Sequence, residues 1–139
     1  MDIRSDCPIS YSLDVFGDKW TLLILRDMIF GDKASFLEWR SSDEKIAPSV
    51  LTNRINLLMQ EGLIIRKTSD QNASKFIHYL TEKGIKIIPI LVDMIEFGTG
   101  FIPAKQAQEN LKKIKKNRTK FIEELQKKMR GLRITAIGK

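Results

Sequence analysis

The amino-acid sequence predicts a mostly helical α+β fold in which one two-stranded hairpin interrupts a series of helices. Three observations carry that prediction: helical periodicity over most of the chain, one helix whose polar face holds no acid, and two short strands joined by a polar loop. With 139 residues, 42% of them hydrophobic and 29% charged, the chain has the make-up of a soluble globular domain with room for an appendage.

Pro8 is placed to open a first helix, with Leu13, Val15 and Phe16 as its apolar residues before Gly17. Asp18 can cap a second helix, Lys19 to about Phe30. Its residues Trp20, Leu22, Leu23, Ile24, Leu25, Met28 and Ile29 make it apolar on most sides, so it is expected at the centre of the core. Gly31 stops it. Ser35 caps a short third helix through Phe36, Leu37 and Trp39, which ends in the turn chemistry of Ser41-Ser42-Asp43.

Pro48 opens the most informative helix, residues 48–60, ahead of a Glu61-Gly62 stop. Leu51, Ile55 and Leu58 share one stripe of it, and Ser49, Thr52, Asn53, Asn56 and Gln60 gather opposite. A solvated face usually mixes Glu with Lys. A face that approaches base edges needs short donor-acceptor groups and no negative charge, and this one has that composition.

Leu63–Thr68 and Phe76–Leu80 read as strands around the polar loop 69–74, with Arg66, Lys67 and Lys75 on or beside the hairpin. Short helices, a polar-faced helix and a basic hairpin, in that order, describe a winged helix-turn-helix. Its helix enters the major groove, and its wing, residues 66–76, meets the phosphate backbone or the minor groove.

After Thr81, Glu82 opens a helix with Ile85, Ile87, Ile88, Leu91, Val92 and Ile95 on its apolar side, and Pro89 is expected to kink it or shift a boundary. Gly98, Gly100 and Pro103 mark a break. A final helix from about Ala104 to Met129 carries the seam Leu111, Ile114, Phe121, Ile122, Leu125 and Met129, with Arg118 intruding. A second copy of the chain is the natural partner for such a helix. The expected organisation is a DNA-binding domain over residues 7–101 and a basic helical extension over 102–139.

The net charge of +7 is unevenly placed: residues 104–139 hold 12 basic residues against 3 acidic ones, while the remainder nets −2. The basic excess of the tail is either a solvated helix face or a surface for an anionic partner. No apolar run approaches the roughly 18 residues of a membrane span. The first six residues, with Asp2, Arg4 and Asp6, lack the apolar stretch of a signal peptide. A cytoplasmic protein with no membrane partner is expected. One cysteine makes no internal disulfide, and Cys7 and His78 are each alone of their kind, so no zinc site and no other cofactor are expected. With no Gly-rich phosphate loop, nucleophile elbow or paired carboxylates, the expectation is that the chain is not an enzyme.

Several segments together resemble the HxlR-type transcriptional regulators, relatives of the MarR winged-helix proteins. They are Cys7-Pro8-Ile9, Gly17-Asp18-Lys19-Trp20 with Leu22-Leu23-Ile24-Leu25-Arg26, and Phe36-Leu37-Glu38. They continue with Ile46-Ala47-Pro48-Ser49-Val50-Leu51-Thr52-Asn53-Arg54, Glu61-Gly62-Leu63-Ile64 and Tyr79-Leu80-Thr81-Glu82-Lys83-Gly84. The resemblance spans about Cys7 to Gly98, and it is the order and spacing of the pieces that make it specific. It implies a homodimeric regulator of double-stranded DNA, repressor or activator, acting on a short inverted repeat and pairing through its N- and C-terminal helices. The sequence departs from the family in its long basic tail after about Phe101. It also departs in Asp32-Lys33-Ala34-Ser35, which lacks the arginine often found before the family's Phe.

Ser49, Thr52, Asn53 and Asn56 are the base-edge candidates, Asn53 or Asn56 being able to pair with adenine N6 and N7. Arg54 leans toward the apolar stripe and serves either a phosphate or an internal salt bridge. Arg66, Lys67 and Lys75 belong to the wing, where Lys67 and Lys75 suit phosphates better than bases. Some members of the resembled family use a cysteine at the position of Cys7 to sense oxidants or electrophiles, and a small-molecule or oxidant effector of unspecified identity follows from that. A thiolate ahead of a helix start gains from the helix dipole; against that, Asp6 disfavours it, and a lone Cys is commonly a small buried hydrophobe. His78 falls in line with Phe76 and Leu80 as a packed structural residue, and Trp20 and Trp39 read as core anchors. Two other functions stay open beside DNA reading: a protein-interaction module that keeps the fold, and docking of the basic amphipathic helix on anionic lipid.

Overall fold

The computed structural model describes residues 3–139, so Met1 and Asp2 of the charged N-terminal stretch lie outside it. Pro8 occupies the first turn of α1 (Pro8–Phe16), where a missing N–H costs nothing. The Asp18 carboxylate then accepts from the N–H groups of Trp20 (2.8 Å) and Thr21 (2.9 Å) and from the Thr21 hydroxyl (2.6 Å). Helix α2 accordingly starts at Thr21, slightly later than the periodicity suggests, and runs to Phe30. It is the centre of the core, with Ile24, Leu25, Met28 and Ile29 all buried.

Ser35 precedes α3 (Phe36–Arg40) with its hydroxyl turned round. It donates to Glu38 Oε1 at 2.8 Å, and the same oxygen accepts the Ala34 N–H at 3.3 Å. The expected serine cap is therefore not made, and the carboxylate at the third helical position instead reaches back to hold the residues that precede the helix. Trp39 is 1% exposed and donates its indole N–H to the Ile24 carbonyl, whereas Trp20 is only half-buried, with Lys19 Nζ over its ring. The Arg26 fork holds Glu44 at 2.8 Å on both oxygens and also takes Asp27, whose other oxygen accepts from Ser42. Hydrogen bonds from Arg26 push Glu44 down to about 2, and the network pins the turn that leads into α4 (Pro48–Gln60).

Strands β1 (Ile64–Thr68) and β2 (Phe76–Leu80) pair antiparallel, with Arg66 opposite His78 and Lys67 opposite Ile77. Thr81 caps α5 (Glu82–Ile85) by accepting from the Gly84 N–H. A side chain at Gly84 would collide with the Leu63 carbonyl, so α5 approaches the base of the wing as only glycine allows. Pro89 resolves its two expectations in favour of a shifted boundary: the chain breaks at Lys86-Ile87 and Pro89 sits in the first turn of α6 (Ile88–Thr99).

The C-terminal helix expected from Ala104 to Met129 is two helices, α7 (Lys105–Lys116) and α8 (Arg118–Ile137). Asn117 is extended between them and caps α8 by accepting from the Lys120 N–H. Arg118, where the seam faltered, turns back to pair with Asp93 and with Glu96 (2.9 Å) on α6. The pair of helices folds onto its own chain, and Ile114, Phe121 and Met129 join the common core. Within one molecule the seam is covered at Ile114, Phe121 and Met129, while Leu111, Ile122 and Leu125 stay half-buried and Leu132 and Ile134 of α8 are exposed. Among the described residues, no helix is long and apolar enough to cross a membrane. Ile9 and Leu13 on α1 and Met94 and Phe97 on α6 remain exposed.

Candidate nucleic-acid interface

Helix α4 is anchored by Leu51, Ile55 and Leu58, each 5% exposed or less. Anchoring that stripe turns Ser49, Thr52, Asn53, Asn56 and Gln60 outward, and all five are exposed. Gly62, at φ 74°, closes the helix: its N–H reaches the Met59 carbonyl and the Leu63 N–H reaches Leu58. This left-handed turn sends the chain straight from α4 into β1, so the wing stands next to the polar face.

A cleft of about 430 Å³ separates the two. Thr52 and Asn56 line it from α4, Arg66 and Lys75 from the wing, and Phe36 and Glu38 from α3. Arg66 is exposed, and its guanidinium lies over the Phe76 ring at 3.9 Å from the centroid. Lys75 is exposed and lowers the Glu38 carboxyl further, although burial opposes and the hydrogen bonds from Ser35 and Ala34 do more. Ser49 and Asn53 share the polar face outside the cleft.

Two of the singled-out cations point elsewhere. Strand alternation puts Lys67 on the opposite face of the wing from Arg66, where its Nζ donates to the Ala136 carbonyl at 3.0 Å and lies 3.7 Å from Asp70. Of the two roles left open for Arg54, the geometry is that of the internal pair, with Nε 3.6 Å from Asp18. Burial works against Asp18, but the Thr21 and Trp20 hydrogen bonds and the Arg54 charge carry its carboxyl below the usual range.

His78 is 4% exposed, donates Nδ1–H to the Ala34 carbonyl at 2.8 Å, and sits 4.9 Å from the Trp39 ring centroid. Burial lowers its pKa. It supports the cleft from behind as a neutral structural ring. Cys7 is exposed at the start of α1, so the buried-hydrophobe reading of it does not hold.

The Arg66–Phe76 stack and the Arg133 contacts described below are absent from a reading of residues one by one. The first was signalled by the period of two along the strands. The second had no local signal, because the partners of Arg133 lie about fifty positions away.

The model of the HxlR-like helix-turn-helix family matches residues 15–106. The uncharacterized HTH-type transcriptional regulator YybR of Bacillus subtilis (strain 168) is 34% identical over 95 residues, covering 68% of this chain and 75% of that protein. The solved structure of the redox regulator HypR in its oxidized form is similar at a TM-score of 0.61 and 29% identity, covering 69% of this chain and 98% of that one. The reduced form of the transcriptional regulator YodB from B. subtilis is similar at a TM-score of 0.54 and 25% identity, covering 73% and 100%. Nearly all of α7 and the whole of α8 lie beyond the residues that the family model matches.

Proposed function

The chain belongs to the HxlR-like helix-turn-helix family of transcriptional regulators, and from that premise we propose that it binds double-stranded DNA sequence-specifically as a homodimer on an inverted repeat. The observation that carries the proposal is the exposed, acid-free face of α4 beside a cationic wing. Thr52, Asn53, Asn56 and Ser49 are the donors and acceptors offered to base edges in the major groove, while Arg66 and Lys75 meet phosphates or the minor groove. Exposed Ile9, Leu13, Met94 and Phe97 on α1 and α6 are the apolar surface for the second subunit. The protein works in the cytoplasm, and residues 7–101 do the reading. Selection of bound fragments from a random duplex pool tests the proposal. Recovery of one two-fold symmetric sequence is the expected result, and an unenriched pool is the contrary one.

A second reading concerns regulation. Likeness to the redox regulator HypR, together with an exposed Cys7 at the positive end of α1, supports a thiol that responds to oxidants. As the lone cysteine, Cys7 would form a disulfide only with the second subunit or with a small thiol.

A further inference from the structure

We propose that α8 is a brace that sets the position of the wing, with Arg133 as the positioning residue; the proposal rests on the wing being a DNA-contacting element. A hairpin of two strands has little stability of its own and takes its geometry from what it packs on. The inner face of this wing borders the cleft, and Phe76 there is 40% exposed. One tie holds the middle of β2, where the Ala34 carbonyl accepts the His78 backbone N–H at 2.9 Å and its ring Nδ1–H at 2.8 Å; the remaining support comes from the outer side and the base. Arg133 is 6% exposed, and its Nη1 donates to the carbonyl of Leu80, the last residue of β2, at 2.7 Å. Its Nη2 reaches Glu82 Oε2 at 2.7 Å, and its Nε reaches the Lys139 carbonyl at 3.2 Å. Arg130 holds the other oxygen of Glu82 at 2.8 Å. On the other strand, Lys67 Nζ donates to the Ala136 carbonyl.

Both strands are thus tied to one helix, and that helix lies outside the residues that the family model matches. The guanidinium fork is what makes the junction: one donor is spent on the wing and one on α5, which fixes the angle between them. The basic surplus of the tail has the same logic. Arg118, Lys128, Arg130 and Arg133 pair with Asp93, Glu96, Asp32 and Glu82 of the preceding domain, so part of the tail's charge is an internal fastening.

The test compares Arg133→Lys with Met129→Ala, which weakens the same helix at a buried core side chain without removing a hydrogen bond to either strand. Amide hydrogen exchange and duplex binding are both followed. In Arg133→Lys, amides of residues 64–68 and 76–80 are expected to exchange about tenfold faster relative to those of 51–58, and preference for the selected duplex over a scrambled one to fall about tenfold. In Met129→Ala, wing and α4 amides accelerate together. If Arg133→Lys also accelerates both together, or loosens the wing while keeping full preference, the brace is overturned. Should Arg133→Lys not fold, Glu82→Gln, which weakens one arm of the fork at an exposed side chain, must give the same wing-selective pattern at smaller amplitude. A wild-type chain with no duplex preference would sink the DNA reading, while the exchange pattern would still decide the brace.

Discussion

The guanidinium of Arg66 lies over the ring of Phe76, 3.9 Å from its centroid, in the lining of the cleft between wing and α4. The ring holds a planar, permanently charged fork in one orientation on an otherwise flexible stem. Arg66→Ala is therefore expected to weaken binding to every duplex alike and to lower the salt slope by about one. Phe76→Leu keeps the charge and should leave the slope unchanged while reducing affinity. Equal slopes for wild type and Arg66→Ala would remove Arg66 from the phosphate contacts.

Asn53 and Asn56 have a different signature. Each replaced by Ala should cost about 1–3 kcal/mol of preference for the selected duplex, with little change on scrambled DNA. The measurement is a pair of titrations per variant. Parallel losses on both duplexes would mean that the amides serve the backbone only.

Much of this candidate site's geometry was legible in the sequence because its signals are local. The spacing of Leu51, Ile55 and Leu58 dictates which residues α4 exposes, and Glu61-Gly62 dictates where it ends. What escaped was tertiary. Arg54 had an Asp18 partner that no spacing announces, and Lys67 shares charge with Arg66 but not its face of the strand. The tail broke at Asn117 because a polar side chain at the lapse of the seam could cap a new helix. One continuous helix and two folded ones share the same periodicity up to that point.

His78 gives a pH prediction. Its folded pKa lies below the ordinary value of 6.5 because burial disfavours the charged ring; the hydrogen bond to Ala34 opposes, and the charge of Arg66 adds to the lowering. Above that value both folded and unfolded chains carry it neutral. As pH falls below about 6.5 the unfolded chain takes up a proton that the folded chain refuses, so stability falls, and the loss levels off below the folded pKa. Urea unfolding of wild type and His78→Phe between about pH 7.5 and 5 should show a steeper decline for wild type. Glu44 and Glu82, each held at about 2 by arginine hydrogen bonds, lose their contribution only at lower pH. Identical declines would contradict the buried neutral ring.

Cys7 offers the regulatory test. Treatment with a mild oxidant should give a disulfide-linked dimer, or a mixed disulfide when a small thiol is added with it, visible by non-reducing gel or intact mass, together with a change in duplex binding. Cys7→Ser should abolish both effects and bind as the reduced protein does. A change in binding that persists in Cys7→Ser would place the oxidant's target elsewhere.

The central claim is sequence-specific reading by the α4 face and the wing, and its most direct measurement is the binding of reduced protein to duplex from upstream of its own gene. A scrambled duplex serves as the competitor across a salt series. A preference of about a thousandfold that persists near 150 mM salt is the predicted result. Equal binding to both duplexes that vanishes as salt rises would contradict the account, leaving only the attraction of a basic surface for phosphate.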